Sequence, residues 1–138
     1  MSTIQNIQEE LIEDFEMFDD WMQKYEYLID LGKELSPIDA KHKTEDNLIA
    51  GCQSRVWLHA EKQDGKIIYT ADSDAIMTKG IIAILIRVLS DQKAEDIISA
   101  DLGFIDKIGL KEQLSATRAN GLVSMIKKIK LYALAFSK

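Results

Sequence analysis

Between Ala75 and Leu89 the chain reads AIMTKGIIAILIRVL, and winding it into a helix leaves it no continuous polar face. Ile76, Met77 and the run IIAILI are apolar on nearly all sides, the pattern of a helix buried at the centre of a domain. Asp74 is the natural N-cap for that helix. Gly80 lies inside it at a cost of about 1 kcal/mol against alanine, so it marks close packing against another backbone. Ser90 to Gln92 end the element.

The segment before it alternates. Val56, Leu58 and Ala60 point one way and Trp57, His59 and Glu61 the other. Asp64-Gly65 then suits a two-residue type I′ turn, whose central residues both need positive φ, and Lys66 to Ala71 form the return strand. A two-residue loop fixes the register. Lys62 faces Ile67, Ala60 faces Tyr69 and Leu58 faces Ala71, so Val56, Leu58, Ala60, Ile67, Tyr69 and Ala71 share one apolar face. A short strand around Leu48-Ile49 is expected as a third, because an isolated hairpin lacks support.

Just ahead of the hairpin lies the only cysteine, Cys52, between Gly51 and Gln53. Its thiol has an unperturbed pKa of roughly 8.5, near enough to neutrality for local charge to tune, and Arg55 stands three residues on. A lone cysteine also serves as a small apolar filler. Against that, Cys52 follows a glycine where irregular chain enters a strand, a place where reactive groups are often presented. Cys52 and His59 are seven apart, so on an unbroken strand they project to opposite faces and a Cys-His couple is disfavoured.

From the N-terminus, Ser2 and Gln5 fit a capping box, and Ile4, Ile7, Leu11, Phe15 and Phe18 make one helical stripe. Asp19-Asp20 interrupts it and caps a second helix with the stripe Trp21, Tyr25, Leu28, Gly32 and Leu35, which Ser36-Pro37 ends. Ile38 to Asp46 read as a polar surface loop in which His42, between two lysines, is solvated. After the central helix, Glu95 to Ser99 and Phe104 to Ile108 are short helices, the latter stopped by Gly109. A last helix carries Leu122, Ile126, Ile129, Ala133 and Phe136, capped by Ser115 or Thr117. Arg118 falls in its first turn, where the helix dipole disfavours a cation, so either a partner uses it or it is a surface arginine without a role.

The expected architecture is α+β, a small antiparallel three-stranded sheet packed against helices, with residues 1–138 as one domain. The formal charge of −6 argues against a nucleic-acid partner. Residues 1–20 hold seven acids and no Lys or Arg, whereas 121–138 hold Lys127, Lys128, Lys130 and Lys138 and no acid. Two solvated helix faces of opposite sign account for this, as does a partner patch. With one cysteine there is no internal disulfide, and with no signal-peptide pattern a cytoplasmic protein is expected; no apolar run reaches the roughly 18 residues of a membrane span. Cys52, His42 and His59 fall short of a four-ligand zinc set, so no metal is expected, and neither a dinucleotide fingerprint nor a Walker motif is present, so no cofactor is expected.

Four stretches together resemble the SufE family of sulfur acceptors: WMQKYEYLIDLGKEL (Trp21 to Leu35), GCQSRVW (Gly51 to Trp57), ADSDAIMTKGIIAIL (Ala71 to Leu85) and LSATRANGL (Leu114 to Leu122). They come in the family's order, with Ala116 where members often carry proline. The resemblance implies a persulfide carrier rather than a stand-alone enzyme, with the α+β fold shared with cluster scaffolds of the IscU kind. Such a carrier takes sulfur from a pyridoxal-phosphate-dependent cysteine desulfurase (SufS-like) onto Cys52 and activates that enzyme. It then delivers the sulfur to an iron–sulfur scaffold (SufBCD-like). Arg118, Asp74, Arg55 and Gln53 are the supporting or partner-docking candidates: Arg118 or Arg55 would stabilise the anionic sulfur or dock the donor, and the Asp72-Ser73-Asp74 cap would pin the Cys52 segment against the sheet until the donor releases it. A cysteine-dependent hydrolase or transferase acting alone, a carrier feeding a non-cluster pathway, and an interaction module in which Cys52 is incidental are the alternatives.

Overall fold

The apolar run forms α3 (Ile76–Leu89) in a computed structural model that describes residues 3–137. Eleven of its residues are buried, and it touches α2 (Trp21–Lys33), β2 (Lys66–Ser73), α1 (Ile4–Glu16) and α7 (Ala116–Phe136). A helix this apolar is stable in water only when surrounded, and these four elements surround it. The remaining elements in chain order are two 3-10 turns (Ala40–His42 and Glu45–Asn47), β1 (Val56–Gln63), α4 (Ala94–Ile98), α5 (Phe104–Lys107) and α6 (Leu110–Gln113).

Gly80 has the reason its sequence context implies. A Cβ there would sit 2.5 Å from the Leu28 carbonyl oxygen, and one on Gly32 would sit 2.8 Å from the Gly80 nitrogen. Two glycines thus let α2 and α3 approach backbone to backbone, and no side-chain rotation relieves either overlap.

The hairpin register is as expected, with Lys62 opposite Ile67, Ala60 opposite Tyr69 and Leu58 opposite Ala71. Asp64 (φ 52°) and Gly65 (φ 81°) supply the two positive torsions. Val56, Leu58, Ala60, Ile67, Tyr69 and Ala71 are buried on one face, and Tyr69 Oη donates to the Ile129 carbonyl of α7 at 2.7 Å. The sheet has two strands, not three. Leu48 does lie antiparallel beside Trp57, and Ile49 N donates to Val56 O at 2.9 Å. Pairing stops there because a 3-10 turn (Glu45–Asn47) precedes it and Gly51 turns the chain away at φ 89°.

At the N-terminus, Thr3 is the cap, accepting from Asn6 N at 3.1 Å; the proposed Ser2 lies outside the described residues, as does Lys138. Asp20 caps α2 by accepting from Gln23 N at 2.9 Å, a bond of a kind that contributes about 1 kcal/mol. Buried Gln8 ties α1 to the loop between α4 and α5, donating to Asp101 O and accepting from Phe104 N. Gly109 stops α5 at φ 78°, and α6, which the periodicity does not announce, follows it. Asp74 does not cap α3. Ala75 holds that position without a side-chain bond, and the Asp74 carboxylate turns back toward the segment before β1.

Candidate functional site

Cys52 is partly buried on α7, where its Sγ–H faces the Gly121 carbonyl at 3.6 Å. Two glycines make that seat. Gly51 takes φ 89°, and a Cβ there would lie 2.5 Å from Ser124 Oγ, so only glycine carries the chain past α7 at that point. Gly121 presents bare backbone, leaving the sulfur in ordinary contact with the position a Cβ would occupy, 3.5 Å away.

Around the sulfur is a cavity of about 50 Å³, with Gln53, Ser54, Thr117, Arg118 and Met125 in its wall. Ser115 caps α7 by accepting from Arg118 N at 3.3 Å, which fixes the start of that helix and brings the exposed Arg118 to the cavity. The arginine sits where the helix dipole is least favourable to it, beside the one thiol of the chain. Of the candidates from sequence, Cys52, Gln53 and Arg118 are brought together.

Arg55 and Asp74 act differently. The Arg55 side chain is exposed and does not line the cavity. Its backbone, however, is held three times: N donates to Asp74 Oδ1 at 3.1 Å, and O accepts from Ser73 Oγ at 2.8 Å and Asp74 N at 3.2 Å. The junction between β2 and α3 therefore pins the segment that carries Cys52. Sequence reasoning gave Asp74 two tasks, capping the helix and, with Asp72 and Ser73, holding the Cys52 segment; the carboxylate does not cap α3 and accepts instead from a backbone N–H nineteen residues earlier.

Burial pushes the Cys52 thiol pKa up from its ordinary value. In the seated state the neutral thiol is favoured, and the facing carbonyl oxygen suits a donor S–H better than a thiolate. Alkylation of Cys52 by iodoacetamide is accordingly expected to climb with pH along a curve whose midpoint lies above the roughly 8.5 of a free thiol. Rates measured across pH 6 to 10 check this, and a midpoint below 8 would mean the sulfur reacts from an electropositive, exposed position.

His59 does not approach the sulfur. It lines another cleft, on the outer face of β1, together with His42 and Glu61. His42 is not solvated as its lysine neighbours imply: its ring stacks on that of His59 with centroids 3.5 Å apart and planes within 9°. No helix among the described residues is long and apolar enough to cross a membrane.

The chain has relatives. The family model described as SufE: Fe-S metabolism associated domain matches residues 9–133. An uncharacterized SufE-like protein of Rhizobium meliloti (strain 1021) is 40% identical over 127 residues, 88% of this chain and 91% of that one. The SufE-like protein 1, chloroplastic/mitochondrial, of Arabidopsis thaliana is 36% identical over 127 residues, which cover 91% of this chain and 34% of the longer relative. In fold, the solution structure of a hypothetical protein from Thermus thermophilus superposes with a TM-score of 0.78, covering 94% of each chain at 18% identity.

Proposed function

The chain belongs to the SufE family, whose domain is associated with Fe–S metabolism, and from that premise we propose that it is a carrier holding one sulfur atom at a time on Cys52. The observation that carries this reading is the placement of the thiol: Cys52 opens into a small cleft with Gln53 and Arg118 in its wall, so a sulfur added to it has a cation and an amide beside it. Neither imidazole of the chain lines that cleft to act as base.

The donor is a cysteine desulfurase bearing a persulfide. The Cys52 thiolate attacks the terminal sulfur, a new S–S bond forms on Cys52, and the donor's S–S bond breaks with its cysteine leaving as a thiolate. The proton lost by Cys52 goes to solvent or to that thiolate. The exchange requires no external oxidant or reductant. Activation of the desulfurase follows from removal of its sulfur, and a second exchange passes the cargo to an iron–sulfur scaffold. Arg118 stabilises the anionic sulfur at the cavity, and Gln53 lines the path of entry.

Because the seated thiol is protonated and half covered, loading requires the segment to lift from α7. Asp74, with Ser73, holds it down through Arg55. Removing one exposed hydrogen bond of this sort is worth about 1 kcal/mol, or about fivefold in the population of the lifted state. Asp74→Ala is therefore expected to raise the alkylation rate of Cys52 about fivefold at constant pH, and an unchanged rate would count against pinning. The function itself is tested by intact mass measurement after incubation with a cysteine desulfurase and cysteine, where a gain of about 32 Da per chain is expected on the attacking residue.

A further inference from the structure

The cleft on the outer face of β1 has a volume of about 230 Å³ and brings together His42, His59 and Glu61. One nitrogen from each imidazole and one carboxylate oxygen lie within 4.8 Å of one another. Two imidazoles and a carboxylate are a donor set suited to a borderline divalent ion, and Zn²⁺ takes it with a fourth position left to water. We propose that His42, His59 and Glu61 form a Zn²⁺ site that clasps the 3-10 turn at Ala40–His42 onto β1. This site is independent of the thiol chemistry.

The backbone on both sides is already fixed. His59 and Glu61 are two apart on a paired strand and so share its outer face. His42 is held from several directions: Asp39 caps its turn by accepting from Lys41 N at 3.1 Å, and Asn47 Nδ2 donates to the His42 carbonyl at 2.7 Å. Next to it, the Lys43 ammonium lies 2.8 Å from Asp72 on β2. Ligands carried on supports of this kind lose little freedom when an ion binds.

The remaining adjustment is confined to side chains. Tetrahedral Zn²⁺ with bonds of about 2.0–2.1 Å sets its ligand atoms about 3.4 Å apart, and His59 Nε2 is already 3.1 Å from Glu61 Oε1. Two parallel rings run their lone pairs side by side, so the ion must splay the stack, and the cleft leaves room for His42 to turn.

The test is calorimetric titration of the full chain carrying Cys52→Ser, with ZnCl₂ alone as the probe, so that no thiolate competes. One Zn²⁺ per chain at micromolar affinity is expected, with a higher unfolding temperature when loaded. Loss of an outer-shell partner typically costs about 10- to 100-fold in affinity, so loss of a ligand in His42→Ala or His59→Ala is expected to cost about 100-fold or more. Because His42 lies on a surface turn, His42→Ala keeps the test valid if the strand variant misfolds. Absence of micromolar binding, or binding retained when His42 is replaced, would overturn the site.

Discussion

Cys52→Ser protein, incubated with a cysteine desulfurase and cysteine, is expected to keep its starting mass while the unsubstituted chain gains sulfur. The effect is all or none, because a serine hydroxyl is not ionised near neutrality and forms no stable perthio adduct, whereas the rate of the exchange is set by thiolate fraction, nucleophilicity and access. The fold has little to lose. Cys52 is only partly buried, its polar contact among the described residues is a 3.6 Å approach to the Gly121 carbonyl, and serine is as small and also donates. A stability change within about 0.5 kcal/mol is expected. Urea unfolding and intact mass read the two halves separately: a serine variant that still acquires about 32 Da dismisses the carrier assignment, since no second thiol exists to take the sulfur.

The second large effect is on the fold. Gly80→Ala would place a methyl group 2.5 Å from the Leu28 carbonyl oxygen and 3.0 Å from its carbonyl carbon. Both are backbone atoms of a neighbouring helix, so relief requires α2 to move as a body away from α3. Overpacking of this kind costs about 3 kcal/mol, and the better helix propensity of alanine returns about 1 kcal/mol. A net loss of about 2 kcal/mol is expected, read as a lower urea midpoint at unchanged slope. If the midpoint stayed put, the two helices would have to be free to slide, and the account of the paired glycines would be wrong.

Gly80 shows how much of the fold is legible in the sequence. A glycine in an apolar helix costs stability locally, and that local cost pointed to a non-local contact; only the partner, Leu28 and Gly32, was missing. The hairpin was legible for a similar reason, since Asp64-Gly65 admits one turn and the turn admits one register. Cys52 was singled out as solitary and glycine-flanked, and its seat on Gly121 could not be read because it joins segments sixty-nine residues apart. The capping role given to Asp74 failed by the same limit: a carboxylate before a helix satisfies the local capping rule, yet the Arg55 N–H competes for it from across the fold. His42 looked solvated because its neighbours are lysines. Buried Ile38 and the Asn47 bond draw its turn onto β1, and no periodicity encodes that. The third strand failed for a backbone reason, the positive φ at Gly51 closing the ladder after one bridge.

The Asp64-Gly65 turn ends a ribbon of eight paired residues, which at about 3.3 Å per residue puts it roughly 25 Å along the strand from Val56. A Cβ built at Gly65 meets nothing within 4 Å. The tip is thus a natural splice point for a reporter peptide or a fluorophore tether, remote from the sulfur yet joined to it by one stiff strand, so that a dye there would report whether the ribbon tilts during the proposed exchange.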